Sequence, residues 1–208
     1  MMMMGVQPKP KVYVPKPHLS LFETYAHSHR ALTFGTEHIP RPTFFGVEHG
    51  DAIALQHDYA LQVFGLHHSA PTCGYGLGQY RKKLKPEYTE KSGKDIADLR
   101  QQGVDVHTRC FVPLLAYLCD TTIQVFPSHP SLLTYPFIII ECTFLEEDLL
   151  TLAQTSQHIH WLHLKPYILQ NPHITFILIH FSIRYTDDDL TNFFADNELP
   201  SNALVWRN

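Results

Sequence analysis

Ile174-Thr175-Phe176-Ile177-Leu178-Ile179-His180-Phe181-Ser182-Ile183-Arg184-Tyr185 decides how the chain is read. Its first half, through Ile179, is an apolar run of strand length, and unbroken runs of this kind suit a strand buried inside an α/β sheet. The run ends in His180. A second run, Phe137 to Ile140, ends in the same way at Glu141, and it also reads as a strand buried on both faces. Between them, Glu146 to about Thr155 reads as a helix with acidic residues in its first turn, where the helix dipole favours them. His158 then falls in an irregular turn, and a second helix is expected around Pro166 to Leu169. Beyond His180, Asp187 to Phe194 forms a last helix and Val205-Trp206 closes the chain. Strands that alternate with helices in this way imply an α/β sandwich and not an all-β barrel.

Working outward toward the start, the pattern becomes β-rich. Val104 to Val106 and Leu114 to Leu118 read as strands, the second ending at Cys119-Asp120-Thr121. Asp95 to Gln102 reads as a short helix closed by Gly103. Ala52 to Leu55, Tyr59 to Leu66 and Gly74 to Leu77 read as an antiparallel meander, with His67 to Thr72 as a loop at a strand end. Thr43 to Val47 and Val12-Tyr13-Val14-Pro15 are further short strands. Leu19 to Leu32 reads as a helix with Ser20 as its N-cap and Leu21, Phe22 and Tyr25 on one side. Arg81, Lys82, Lys83 and Lys85 cluster beside Tyr80 and Tyr88, either to touch RNA backbone or as a solubilising loop. Met1 to Met4, followed by a proline-spaced basic segment to Lys11, has no signal-peptide core and reads as an accidental start.

Composition narrows the function classes. With 208 residues, 44% of them hydrophobic, the chain fits one domain with a real core. The formal net charge of -4 gives no overall basic balance for nucleic acid. No apolar stretch approaches the roughly 20 residues of a membrane span. Cys73, Cys110, Cys119 and Cys142 form no Cys-x-x-Cys pair and read as buried free thiols of a reducing, intracellular setting, cytoplasm or nucleus. Fifteen histidines are an unusual number, and histidine is the commonest metal ligand.

Four polar residues stand just past apolar strands: His68, Asp120, Glu141 and His180. Ligands of open α/β sheets bind at the carboxyl ends of strands. Two histidines and an aspartate there are the donor set of a catalytic zinc site.

Spacing extends the pattern. Glu141 follows Asp120 by 21 residues, His158 follows Glu141 by 17, and His180 follows His158 by 22. Leu178-Ile179-His180-Phe181-Ser182-Ile183-Arg184-Tyr185 resembles the Leu-Thr-His-Phe-Ser-x-Arg-Tyr motif of ribonuclease Z, a family of the metallo-β-lactamase superfamily. Cys119-Asp120-Thr121 is similar to that family's Gly-Asp-Thr, and Ile140-Glu141-Cys142-Thr143 to its His-Glu-Ala-Thr. His158 stands where the family has His-Ser-Thr, and His68 to Tyr75 resembles its His-x-x-Pro-x-x-Gly-Tyr. The resemblance implies a metallo-β-lactamase αββα sandwich, one partial domain over residues 1–208 that lacks its N-terminal portion. It implies a two-zinc hydrolase that cleaves the 3′ trailer of a tRNA precursor, an RNA partner, and a homodimer. Asp120 would bridge two metal ions, with His68 on one and His180 on the other. Glu141 and His158 would form a proton-transfer pair, and Ser182 and Arg184 would hold the His180 loop.

The chain departs from the family in places. The His-x-His-x-Asp-His motif is absent: His27-Ser28-His29 is followed by no Asp-His pair and falls in a helix. The expectation is therefore a chain that begins after that motif, keeps two protein ligands per metal, and leaves part of its sheet uncovered. His160 and His163 remain alternatives to His158 as the acid. A non-catalytic relative serving as a binding or dimer subunit, and a same-fold hydrolase of another ester or nucleotide, are the competing functions.

Overall fold

The computed structural model describes residues 10–34 and 42–207. The expected reading of Met1 to Lys9 lies outside them. A seven-stranded mixed sheet carries the molecule, made of β3 (Ala52–Ala54), β4 (Tyr59–Leu66), β5 (Thr72–Leu84), β6 (His107–Leu118), β7 (Phe137–Glu141), β8 (Thr175–Ile179) and β9 (Ala203–Val205), in that spatial order. Strands β3 to β6 pair antiparallel, and β6 to β9 pair parallel. Two reversals, β4 to β5 and β5 to β6, leave β4 running in the same direction as β6, β7 and β8. The loops that follow these four strands therefore open on one edge of the sheet. A separate two-stranded parallel sheet pairs β1 (Lys11–Pro15) with β2 (Thr43–Val47).

Helices pack on one face of the parallel half. They are the short α3 (Val125–Ser128), α4 (Leu150–Ser156), α5 (Trp161–Gln170) and α6 (Asp187–Asp196). Ile138, Ile140, Phe176 and Leu178 alternate along β7 and β8 toward this layer and are fully buried with Trp161, Leu164, Ile168, Leu190 and Phe194. Each such side chain contributes roughly 1.5–3 kcal/mol of hydrophobic free energy. The α6 start is fixed by a capping box in which Thr186 and Asp189 exchange hydrogen bonds.

The opposite face corrects the expectation for β7. Phe137 is 48% exposed and Ile139 only partly buried, so this face of β7 is covered fully only at its end, at Glu141, and Leu204 of the neighbouring β9 is 54% exposed. The sequence could not show this, because isoleucine and phenylalanine occupy both faces of the run. Along β3 to β5 the same side of the molecule holds a small second core of Val47, Ile53 and Val63, with Tyr13, Leu61, Cys73 and Tyr75 against it.

Other boundaries also shift. Strand β5 runs on through Leu84, so Arg81, Lys82 and Lys83 lie in a strand, with Lys85 just past its end, and the loop alternative fails for those three. Its inward face is built of Gly74, Gly76 and Gly78. A Cβ at Gly76 would collide with Tyr135, and one at Gly78 with Phe111. Strand β6 begins at His107, and Val104 to Val106 form no strand. Helix α2 (Gly93–Gln101) starts two residues early because Ser92 and Asp95 form a capping box. Helix α5 starts at Trp161 because the His160 ring accepts the Leu162 N–H, and Pro166 lies inside it. Helix α1 (Leu19–Phe34) continues directly from a 3-10 turn at Lys16–His18, so Ser20 lies within the helix and caps nothing. Its Leu21, Tyr25 and Leu32 are exposed. All four cysteines are free, but only Cys142 is fully buried. No helix among the described residues is long and apolar enough to cross a membrane.

Candidate active site

Asp120, Glu141 and His180 leave the carboxyl ends of the adjacent parallel strands β6, β7 and β8, and His68 leaves the end of β4 on the same edge. His158 arrives from the turn between α4 and α5. The structure brings together all five residues expected from the sequence.

The centre of the arrangement is Glu141, whose side chain is fully buried. Its carboxylate accepts hydrogen bonds from the Thr121 amide (2.5 Å), the Thr143 hydroxyl (2.6 Å), His158 Nδ1 (2.9 Å) and the Ile159 amide (3.0 Å). A buried carboxylate is tolerable only with its lone pairs satisfied in this manner. The donors come from three pieces of the site. Thr121 follows Asp120, Thr143 reaches the His180 loop, and His158 and Ile159 enter α5. The His158 imidazole is held above its ordinary pKa, chiefly by the hydrogen bond to Glu141. Burial opposes that rise, and the charges of Glu141 and Asp120 add to it.

Asp120 is different. Its side chain is 30% exposed, with His180 Nε2 3.3 Å from Oδ1 and His68 Nε2 4.0 Å from Oδ2. The three rings crowd together, His158 lying 4.9 Å from His68 and 5.3 Å from His180, centroid to centroid.

The outer nitrogens of these histidines fix what the inner ones can do. His68 Nδ1 meets the Gln157 carbonyl at 3.2 Å, and a carbonyl can only accept, so Nδ1 carries the proton. His158 Nδ1 donates to the Glu141 carboxylate. His180 Nδ1 lies 3.0 Å from the Thr143 hydroxyl, whose own proton goes to Glu141, so Nδ1 donates there too. In each neutral ring the lone pair is therefore on Nε2. Metal-bound histidines are held in this way, with the far nitrogen donating to a carbonyl, hydroxyl or carboxylate. Donor atoms of His68, Asp120 and His158 lie within 4.8 Å of one another, as do those of Cys119, Asp120 and His180, and of Glu141, His158 and His180. The donor chemistry and the tautomers both fit a divalent metal such as zinc.

Ser182 and Arg184 lie on the His180 loop. The Ser182 amide donates to the Thr143 carbonyl at 3.0 Å. Arg184 Nε donates to Ser182 Oγ at 3.1 Å, and its guanidinium lies 5.6 Å above the Phe144 ring. His160 is fully buried, one ring nitrogen against the Glu146 carbonyl and the other accepting from Leu162, so it is committed to structure. His163 is not part of the cluster. His27 and His29 are exposed on α1.

Sequence reasoning missed Thr143 and Thr121. Thr143 stands two residues past Glu141, so its side chain returns to the same side of the extended chain, a period-two signal that was available. Thr121 receives the His67 amide at 3.2 Å while its own amide binds Glu141, and so joins the β4 and β6 loops to the carboxylate. No local pattern announces such a long-range contact.

No family model matches the chain. It is 29% identical over 196 residues to the chloroplastic tRNase Z TRZ2 of Arabidopsis thaliana, covering 87% of this chain and 51% of that protein. It is 27% identical over 200 residues to tRNase Z TRZ1 of the same plant, covering 95% of this chain and 70% of that one. The chain thus spans about half the length of the first of these relatives. Among solved structures, the metallo-β-lactamase fold protein YhfI of Bacillus subtilis superposes with a TM-score of 0.58 at 10% identity, over 97% of this chain and 64% of that one. The short form of human tRNase Z superposes with a TM-score of 0.52 at 12% identity, over 97% of this chain and 67% of that one. The chain thus has the metallo-β-lactamase fold, and in sequence and motif order it is similar to tRNase Z proteins.

Proposed function

We propose that this chain carries the hydrolytic centre of a metal-dependent phosphodiesterase acting on RNA, with a tRNA precursor as its substrate. The observation that supports this most is that His68 and His180, each with Nδ1 committed as a donor, turn Nε2 toward the partly exposed Asp120, with His158 held beside them by Glu141. The tRNase Z relatives supply the substrate class.

Asp120 would be shared between two zinc ions, with His68 on one side and His180 on the other. Bound zinc supplies Lewis-acid polarisation of a phosphoryl oxygen and acidifies the attacking water toward neutral pH. The chain's own residues do the rest. Glu141 orients His158 through Nδ1 and favours its protonated form, which allows the ring to give a proton to the leaving oxygen. Thr143 fixes the His180 ring, and Ser182 with Arg184 fixes the loop that carries it. A groove of about 610 Å³ opens beside His158, between Thr122 and Tyr167, and gives the leaving side of the substrate room. The basic residues from Arg81 to Lys85 stand at the opposite end of β5 from the site. At ~3.4 Å per residue that places them roughly 30 Å away. They can meet RNA backbone only far from the scissile bond.

The reading is tested by loading the protein with zinc and offering both bis-p-nitrophenyl phosphate and a pre-tRNA with a 3′ trailer. Cleavage of the pre-tRNA at the trailer, lost in Asp120→Ala, is the expected result. Cleavage of the small diester alone would point to a same-fold hydrolase of another ester. Failure to bind zinc would leave a non-catalytic binding subunit.

A further inference from the structure

The geometry points to Cys119 as a thiolate ligand of the metal on the His180 side, giving that site a Cys-Asp-His donor set. This deepens the metal-centre reading above and rests on it. In the Gly-Asp-Thr pattern that Cys119-Asp120-Thr121 resembles, this position has no side chain, so the thiol is a feature of this chain.

Three observations carry the inference. Cys119 Sγ lies 2.7 Å from Asp120 Oδ1, the same oxygen that is 3.3 Å from His180 Nε2. Sulfur, oxygen and nitrogen all fall within 4.8 Å of one another, and Cys119 is the only cysteine in any such donor group among the described residues. The thiol is half-buried and donates its proton toward Asp120, so it is turned to the place where Asp120 would meet the metal.

Tetrahedral zinc, with bonds of about 2.3 Å to sulfur and about 2.0–2.1 Å to nitrogen and oxygen, places its donors roughly 3.3–3.6 Å apart. The Asp120 to His180 spacing already meets this, and Cys119 Sγ needs to withdraw from Asp120 by under about 1 Å while keeping within reach of His180, from which it lies no more than 4.8 Å. As the zinc–sulfur bond forms, the thiol proton leaves to solvent and the sulfur binds as thiolate. Three protein donors result, with a fourth position open, which is the arrangement of a catalytic zinc site. A thiolate also biases the site toward zinc over magnesium or manganese, because soft donors prefer softer metals.

The test is a cobalt(II) titration of the metal-free chain, followed by absorption, for the wild type, Cys119→Ala, Cys119→Gly and Cys142→Ala. Circular dichroism checks that each variant is folded, and the glycine variant restores the family's residue. The expected result is a near-ultraviolet thiolate-to-cobalt charge-transfer band that saturates with the visible bands in wild type and Cys142→Ala. It is absent from both Cys119 variants, whose zinc affinity falls by more than the roughly 10–100-fold that loss of an outer-shell partner costs. Visible cobalt bands without charge transfer in the wild type, or a charge-transfer band that survives in both Cys119 variants, would overturn the ligand assignment and leave the metal centre standing. Absence of any cobalt absorption in the wild type would instead overturn the metal centre itself, and this inference with it.

Discussion

Glu141 and Asp120 stand at the ends of neighbouring strands, yet their surroundings are opposite. Glu141 is fully buried and accepts four hydrogen-bond donors from four residues, so its charge is spent on structure. Asp120 is 30% exposed, receives one hydrogen bond from the Cys119 thiol, and otherwise faces histidine nitrogens at 3.3 and 4.0 Å. The difference teaches a division of labour. One carboxylate organises the ends of β6, β7 and β8 and the start of α5, and the other is left with few structural partners, as the metal ligand proposed above requires. If the two were equivalent, their removal would have similar consequences.

The largest separation is expected from Asp120→Ala. It should abolish zinc binding and reduce phosphodiesterase activity below detection, while the metal-free protein keeps its unfolding free energy within about 0.5 kcal/mol, as for a surface change. Equilibrium urea unfolding with and without chelator reads both numbers. Glu141→Gln should do the reverse to stability, lowering it by about 3–5 kcal/mol in metal-free protein because four buried donors lose their charged acceptor. An unfolding midpoint like that of Asp120→Ala would erase the distinction.

His158→Ala should retain zinc and lose about 10²–10⁴-fold in rate, the usual contribution of a positioned acid. His160→Ala is the contrasting change. Removing this helix-capping side chain should cost about 1–2 kcal/mol of stability with little effect on the rate per folded molecule. A greater rate loss in His160→Ala than in His158→Ala, measured on folded protein, would reverse the assignment of the acid. The smallest effect belongs to Thr143→Val, which keeps shape but cuts the link between Glu141 and His180. Zinc affinity, by competition with a chromogenic chelator, should fall about 10–100-fold.

The sequence revealed the elements whose chemistry is local. The runs ending at Glu141 and His180 are the adjacent parallel strands β7 and β8, and Asp120 and His68 leave the same edge of the sheet. The capping boxes at Ser92 and Thr186 are equally local. What was hidden depends on contacts across the chain. Nothing near Thr121 shows that its amide will find Glu141, and nothing near Cys119 shows that its thiol will turn toward Asp120 and His180. Hydrophobic pattern also reports the residues of a strand without reporting what covers them. That is why β7 reads as buried twice and is exposed at Phe137. The basic run at Arg81 admits a loop reading because charge outweighs the pairing of β5 with β6, which extends to Leu84 and His107.

The central claim is that Asp120 and the surrounding histidines form a metal centre, and the most direct test is the zinc content of the purified chain. After zinc loading and exhaustive desalting, elemental analysis should find bound zinc in the wild type and none above background in Asp120→Ala. A wild type that retains no zinc, or an Asp120→Ala variant that retains as much as the wild type, would contradict the account.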